Sequence, residues 1–185
     1  MPDRAAPRIA PLEPPYPAEI QAQFDAIMRG APPLMLFRVL AKNERVWEKF
    51  RAGSLLDKGA LTLRQREIVI DRTGALNGCE YEWGVHVTMF AKAADLSDEQ
   101  VRATVHGDAE AACWSVAEQA LLQTVDALHH RATLSDDEFA TLASHYDEAQ
   151  IFEVILLCGF YRTVSYLANG LKLPLEANAA RFPAA

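Results

Sequence analysis

Residues 61–94 read LTLRQREIVIDRTGALNGCEYEWGVHVTMFAKAA and decide the fold of the chain. An Asn-Gly pair at positions 77 and 78 interrupts or ends a helix, so we predict one helix before it and another that begins near Cys79. Cys79, Glu82 and His86 are spaced i, i+3 and i+7 on the second helix, which places them on one face over two turns. The stretch therefore predicts two helices that meet at a turn, with a cluster of reactive side chains beside it.

This cluster contains the side-chain types most used for nucleophilic and proton-transfer chemistry: a thiol, a carboxylate and an imidazole. Cys79 lies at the N-terminal end of its helix, where the helix dipole is expected to lower the pKa of the thiol. Glu67, on the preceding helix, is expected to fold back onto the same face. Residue types alone leave an alternative open, in which Glu82 is an ordinary first-turn acid, His86 a core histidine and Cys79 a small buried side chain.

Most of the later helices are predicted to begin at a capping box. In this motif the first side chain accepts a backbone N–H and the side chain of the fourth residue reaches back. No segment alternates with period 2 over a useful length, and the β-branched residues are scattered. The sequence therefore predicts an all-α architecture. The boxes begin at Thr62, Ser97, Ser115, Ser135 and Asp147, the last with Gln150 at the fourth position.

The N-terminal segment is rich in proline: residues 1–17 hold six of the chain's ten prolines and cannot form a continuous helix. We predict that this segment is an extended arm, ordered only if it packs on a neighbour, and we expect it to reach a neighbouring subunit. Residues 18–185 are predicted to form one all-helical domain. Its first helices are predicted from Pro17 to Arg29 and from about Leu34 to Ala52, separated by Gly30-Ala31-Pro32-Pro33.

The last predicted helix, from about Glu148 to Gly170, is apolar on more than one face. A surface helix keeps a polar side, so we predict that this helix is either central to the domain or packed against another subunit. Gly159 within it costs about 1 kcal/mol relative to alanine. We therefore expect another backbone to approach closely at that position.

Composition narrows the classes of partner. The chain has 185 residues, half of them hydrophobic, and a net charge of −7, which argues against a nucleic acid or an anionic membrane as the main partner. No apolar run reaches the roughly 20 residues that span a bilayer, and the start lacks the pattern of a secretory signal. Three widely spaced cysteines fit reduced thiols. We expect a cytoplasmic protein.

The spacing of the cluster resembles a known motif. Glu67, Cys79, Glu82 and His86 match the alkylhydroperoxidase D pattern E-x11-C-x2-C-x3-H, with Glu82 in place of the second cysteine. The flanking residues 61–67 and 79–83 are similar to the carboxymuconolactone decarboxylase branch of that superfamily, as are Gly159-Phe160-Tyr161 and Asn169. The resemblance covers roughly residues 34–170. It implies an alkylhydroperoxidase D-like bundle of helices that assembles as a homo-oligomer, a trimer or a hexamer.

The resemblance also implies an activity. Decarboxylases of this family act on carboxymuconolactone, a small acid, without a metal or an organic cofactor. By this likeness His86 is the general acid and base, Glu67 and Glu82 are its partners, and Cys79 lines the pocket. A small anionic substrate needs a cationic receiver for its carboxylate, and the sequence leaves four candidates open: Arg64, Arg66, Arg72 and Arg162.

Two other functions remain open at the level of the sequence. A thiol-dependent peroxidase would have to use Cys79 alone, because Glu82 replaces the resolving cysteine and Cys113 and Cys158 are remote in sequence. A non-catalytic, oligomeric small-molecule-binding protein on the same bundle is the second alternative. A metal site is disfavoured because the cluster contains a single histidine.

Overall fold

The structure is a computed structural model that describes residues 6–184, and all of its regular elements in that range are helices. The predicted all-α architecture is therefore confirmed. The short helix after the arm and the long final helix are found within a residue of their predicted bounds. The helices are α1 (Ala18–Met28), α2 (Met35–Leu40), α3 (Glu44–Ala52), α4 (Leu63–Leu76), α5 (Glu80–Phe90), α6 (Asp98–His106), α7 (Val116–Arg131), α8 (Asp136–Ala143) and α9 (Glu148–Gly170).

Every predicted capping box forms in the structure. At the start of α4, the hydroxyl of Thr62 accepts the backbone N–H of Gln65 at 3.2 Å, and the side chain of Gln65 accepts the backbone N–H of Thr62 at 2.9 Å. Both donors would otherwise lack a partner in the first turn of the helix. The same reciprocal pattern begins four other helices, with Ser97, Ser115, Ser135 and Asp147 as the first residues.

The centre of the bundle is α4, which packs against α5, α6, α7 and α9. Eight consecutive residues, 67–74, are buried, so this helix has no solvent face over two turns. A bidentate pair ties it to α7: Nε of Arg72 lies 2.7 Å from one carboxylate oxygen of Asp126, and Nη2 lies 2.9 Å from the other. By contrast, α9 packs by one face and leaves the other exposed.

The predicted helix over residues 34–52 is wrong in one respect: the structure divides it into α2 and α3. The reason is Asn43, whose side-chain oxygen accepts the backbone N–H of Val46 at 3.0 Å and so starts a second helix. The predicted buried stripe is nevertheless found, because its members face the core from both short helices. They are Leu36, Val39, Leu40 and Trp47.

The proline-rich arm lies on its own chain over the part that the structure describes, residues 6–17; residues 1–5 lie outside the described residues. The backbone N–H of Arg8 donates to the carbonyl of Leu171 at 2.8 Å. Further along, Leu12 donates to the carbonyl of Arg38 at 3.0 Å, and Nε of Arg38 donates to the carbonyl of Leu12 at 2.9 Å. The described part of the arm therefore has contacts on its own chain, and its expected reach to a neighbouring subunit stays a prediction.

The expectation of a close backbone approach at Gly159 is also wrong within this chain. A side-chain carbon added at Gly159 would meet no atom of the described residues within 4 Å. Gly159 belongs to the exposed side of α9, so the chain itself supplies no reason for a glycine there.

Candidate active site

The turn between α4 and α5 positions the predicted cluster. After α4 ends at Leu76, Gly78 adopts a φ of +59°, a left-handed conformation that glycine accepts without the steric cost other residues bear. Cys79 then occupies the N-cap position of α5. The predicted interruption by the Asn-Gly pair is confirmed, and the reversal lays α5 against α4 so that Glu67 faces His86.

The imidazole of His86 lies between two carboxylates. Its Nδ1 is 2.7 Å from Oε2 of Glu67, and its Nε2 is 3.4 Å from Oε1 of Glu82. All three side chains are buried, with His86 only 4% exposed. A protonated imidazole has one N–H for each neighbour, so the arrangement suits the charged form of the ring.

The protonation of His86 follows from these contacts. Burial disfavours the charged ring and would lower the pKa of His86. The hydrogen bond with Glu67 and the neighbouring Glu82 carboxylate act in the opposite direction and raise the pKa of His86 to about 10. At neutral pH the ring is therefore an imidazolium, which can donate a proton but cannot accept one.

Cys79 differs from its predicted behaviour. Its side chain is fully buried, and burial raises the pKa of the Cys79 thiol. The backbone N–H of Glu82 and the hydroxyl of Ser165 lower it, but by less than burial raises it. The expectation that the helix dipole lowers this pKa is wrong. The free energy needed to remove the thiolate from water is larger than the stabilisation that the N-terminus of α5 gives to its negative charge.

The second and third cysteines are not brought to Cys79. Cys158 is buried beside Thr73, and burial raises its pKa to about 12. Cys79 lies instead beside Ser165, which is seven residues and about 10 Å further along α9. Cys113 lies between α6 and α7, and all three thiols are free.

The structure adds one carboxyl group that the sequence reasoning missed. Asp71 lies one helical turn after Glu67 on α4 and is fully buried, and neither of its oxygens has a hydrogen-bond partner among the described residues. Burial, and then the nearby charge of Glu67, raise the pKa of Asp71 well above its ordinary value. The i, i+4 spacing of two acids in the central helix was the available signal.

Aromatic rings close the cluster against water. The ring of Tyr161, from α9, packs edge-on against the His86 ring with centroids 5.1 Å apart, and the ring of Phe90 lies at 5.4 Å. Tyr161 is buried. In the sequence Tyr161 is part of the family-like pattern and has no predicted role, because its contact with His86 depends on how α9 crosses α5.

Of the four candidate arginines, Arg66 alone touches the cluster. Its Nε lies 3.2 Å from Oε1 of Glu67, its guanidinium is 5.8 Å from the centre of the Phe90 ring, and its Nη1 donates to the carbonyl of Leu56 at 3.1 Å. The others are engaged elsewhere in the fold. Arg64 pairs with Glu118, Arg72 with Asp126, and Arg162 with the carbonyl of His129.

The cluster is not arranged for a metal ion. Glu67 and Glu82 approach different nitrogens of the same imidazole, so the three side chains point toward one another and do not converge on a common point. Within residues 6–184, no group of three His, Cys, Asp or Glu side chains is placed to share an ion.

Comparison with known families gives a match over the centre of the chain. Residues 41–126 match the model of the carboxymuconolactone decarboxylase family. This span includes all four residues of the predicted cluster, from Glu67 to His86. No curated protein has a significant sequence match to the chain.

Solved structures share the fold along almost the whole chain. A peroxidase-related protein from Silicibacter sp. TM1040 superposes with a TM-score of 0.78 at 17% identity, covering 94% of this chain and 93% of that one. An alkylhydroperoxidase AhpD core protein from Ralstonia eutropha JMP134 gives 0.80 at 17%, covering 92% and 93%. The debrominase Bmp8 in complex with 2,3,4-tribromopyrrole gives 0.77 at 15%, covering 95% of each chain. At these identities the likeness shows the fold alone.

Proposed function

We propose that the chain is a cofactor-independent decarboxylase, or a related lyase, that acts on a small carboxymuconolactone-like acid. The basis is that residues 41–126 match the carboxymuconolactone decarboxylase family, and that the chain shares the fold of peroxidase-related proteins with an alkylhydroperoxidase core. The observation that carries the proposal is the buried imidazolium of His86 between Glu67 and Glu82. A proton donor that keeps its proton at neutral pH is the group that such a reaction needs.

The reaction itself explains the need for a proton. When carbon dioxide leaves a carboxymuconolactone, the electron pair of the broken C–C bond spreads through the ring double bond to the lactone carbonyl. The substrate thus supplies its own electron sink, and the product forms when a proton reaches the ring carbon. The enzyme must hold the acid, stabilise the oxyanion and deliver that proton.

The two carboxylates give the imidazole different tasks. Glu67 holds Nδ1 at 2.7 Å, a short contact that fixes the ring, whereas Glu82 is 3.4 Å from Nε2. The proton on Nε2 is therefore the less tightly held, and we assign the transfer to it. The ring regains its proton from solvent before the next turnover. Cys79, as a neutral thiol, lines the site and takes no covalent part.

Arg66 is the group that we assign to the substrate carboxylate. It lies beside Glu67, and its Nη1 is satisfied only by the carbonyl of Leu56, a neutral partner that a carboxylate would replace with a stronger, charged hydrogen bond. Leu56 belongs to the segment between α3 and α4. Substrate entry therefore requires this segment to move, and its far end is held by Glu153, which accepts the N–H groups of Ala60 and Leu61 at 2.7 and 3.0 Å.

The alternatives have weaker support. A peroxidase that used Cys79 alone would need the thiolate, which burial disfavours. A non-catalytic binding protein would gain nothing from keeping several charged groups out of water, since burial of each group costs free energy.

The test is a direct assay with 4-carboxymuconolactone, followed by the ultraviolet change as the enol lactone forms. His86→Gln should abolish turnover and keep the helical circular dichroism spectrum of the parent. The matched control is His145→Gln, at an exposed position, which should turn over normally. Absence of turnover in the parent chain would show that 4-carboxymuconolactone is not the substrate. Normal turnover in His86→Gln would remove the assigned proton donor.

A further inference from the structure

A cavity of about 230 Å³ lies between the C-terminal ends of α4 and α7 and the middle of α9. Among the described residues that line it, none belongs to the cluster of Glu67, Cys79, Glu82 and His86. Ligands of drug size fill roughly 300–1,000 Å³, so this cavity takes a smaller molecule. It is therefore a candidate binding site separate from the one assigned to the proposed reaction.

One face of α9 forms a wall of the cavity. This wall consists of Ile155, Cys158, Gly159 and Arg162, at the i, i+3, i+4 and i+7 spacing that places residues on one side of a helix. A side-chain carbon at Gly159 would meet no atom of the described residues within 4 Å, so the glycine leaves the middle of the wall open. Glycine weakens a helix relative to alanine, and no neighbouring atom requires it here. The cavity is the feature that a larger side chain at this position would fill.

Arg162 supplies a cation to the cavity. Its Nε donates to the hydroxyl of Tyr166 at 2.7 Å and its Nη1 to the carbonyl of His129 at 2.9 Å, so two hydrogen bonds hold the guanidinium in place. Among residues 6–184, Nη2 of Arg162 has no hydrogen-bond partner. The described residues that line the cavity include no acidic side chain. A guanidinium with a free nitrogen, in a cavity without an acid, is suited to receive a carboxylate.

His129 adds a polar group to the cavity but no second charge. Burial, and then the charge of Arg162, lower the pKa of the His129 imidazole from its ordinary value of 6.5, so the ring is neutral at pH 7. Two carbonyls near the ends of α4 and α7 are already occupied: that of Thr73 accepts Nδ2 of Asn77 at 2.7 Å, and that of His129 accepts Arg162. These carbonyls are not available to hold a cationic ligand, whereas the guanidinium remains available to an anionic one.

The rest of the lining is mainly apolar. It includes Val125, Leu128 and Ala132 from the end of α7, together with Ile155. An inorganic anion would leave these side chains without a contact, and a neutral hydrocarbon would leave the guanidinium without a partner. Specific ligand pockets combine an apolar lining with a few polar groups in this way.

We propose that this cavity binds a small organic acid, with its carboxylate on Arg162 and a compact apolar body, an aromatic ring or a branched chain, in the space before Gly159. The proposal does not rest on the proposed reaction, in which the substrate carboxylate is assigned to Arg66. The two assignments are independent, since the lining of the cavity does not include Arg66.

Fluorine NMR titration of 4-fluorobenzoate with the full chain at pH 7 tests the class of ligand. We expect saturable binding with a Kd between about 0.1 and 10 mM, the range for a ligand of so few atoms. Two matched compounds test the two halves of the ligand: 4-fluorobenzamide keeps the ring without the charge, and trifluoroacetate keeps the charge without the ring. Each should bind at least about 10 times more weakly. Equal affinity for either compound, or no saturable binding of 4-fluorobenzoate, would overturn the proposal.

Substitutions in the cavity test the position of the site. Arg162→Gln should weaken the binding of 4-fluorobenzoate at least about tenfold, whereas Arg131→Gln, which removes a guanidinium paired with Glu138 outside the cavity, should not. Gly159→Leu should abolish binding by filling the cavity. Gly170→Leu is its matched control, because a side-chain carbon there also meets no atom of the described residues within 4 Å but lies outside the cavity.

The carboxylate receiver of the proposed active site provides a further control. Arg66→Gln should bind 4-fluorobenzoate with the affinity of the parent. Leucine forms helices better than glycine, so Gly159→Leu should keep the helical circular dichroism spectrum. Loss of binding in Arg66→Gln would place the acid at the active site and overturn the proposal, as would parent-like binding in Arg162→Gln or in Gly159→Leu.

Discussion

Glu67 and His86 are joined by a 2.7 Å contact in a part of the bundle that is almost fully buried. Glu67 belongs to α4 and His86 to α5, so the distance between them is set by the packing of two helices and the turn between them. Glu82, 3.4 Å from the other ring nitrogen, is the second carboxylate that raises the pKa of His86. In the proposed reaction the three residues act together.

The first prediction concerns the pKa of His86. Glu67→Gln keeps the side-chain shape but removes the negative charge, so the pKa of His86 should fall from about 10 toward its ordinary value of about 6.5. Titration of the imidazole C–H resonances by NMR measures it. The control is Glu99→Gln, an exposed carboxylate of α6, which should leave the titration unchanged. A His86 that still titrates near 10 in Glu67→Gln would contradict the assigned cause.

The second prediction is a loss of stability at high pH. The pKa of His86 is higher in the folded chain than in the unfolded one, so folding takes up a proton. This contribution is complete below about pH 6.5 and is lost as the pH rises through about 10. Urea unfolding of the parent and of His86→Gln should give stabilities whose difference changes over this window. A difference that is constant from pH 6 to 11 would show that His86 does not titrate there.

The third prediction is that Asp71→Asn stabilises the chain. The pKa of Asp71 is raised well above its ordinary value in the folded state, so ionisation of this carboxyl favours the unfolded chain as the pH rises. The asparagine does not ionise, and we therefore expect Asp71→Asn to have a higher free energy of unfolding than the parent at pH 7, by a gain that grows as the pH rises from about 4. The gain should vanish below about pH 4, where the unfolded aspartic acid is protonated too.

The control for this measurement is Asp126→Asn. Asp126 pairs with the buried Arg72, so the same change there should destabilise the chain at pH 7, because it leaves a buried guanidinium without its partner. If Asp71→Asn also destabilised the chain, the buried carboxyl would have to make an essential interaction in its ionised form.

The fourth prediction concerns thiol reactivity. Burial raises the pKa of all three thiols, but only Cys113 is partly exposed, whereas Cys79 and Cys158 are buried. Iodoacetamide at pH 7.5 should therefore alkylate Cys79 and Cys158 more slowly than Cys113, because the reagent reaches a buried thiol only when the fold opens locally and burial also disfavours the thiolate. Mass spectrometry of peptides measures the rates, and in urea the three should become similar. Rapid labelling of Cys79 in the folded chain would contradict this prediction and would support the alternative function of a peroxidase that uses Cys79 alone.

Local signals in the sequence predicted the helix starts well. A capping box depends on four adjacent residues, and the chain around Thr62 or Ser97 contains everything that its geometry needs. The turn at Gly78 is equally local. Asn43 was missed because its cap depends on a single side chain, without the returning side chain of the fourth residue that completes a capping box.

The state of the ionisable groups could not be predicted in this way. The proximity of Glu67 and His86 followed from the motif, but the raised pKa of Cys79 and of Asp71 depends on burial by helices that are distant in sequence. The polar composition of α4 gave no sign that it is the central helix. The motif identified Glu67, Cys79 and His86, whereas the packing of the helices determined how the ionisation of Cys79 and His86 is shifted.

The segment around Leu56 has a consequence for kinetics. In the proposed reaction Arg66 meets the substrate only after the carbonyl of Leu56 moves away, and the two N–H groups held by Glu153 restrain that movement. Encounter with the substrate is then not sufficient for capture, because most collisions find the segment closed. The association rate should fall below the diffusion limit by the fraction of time that the segment is open, and a change at Glu153, remote from the chemistry, should alter it.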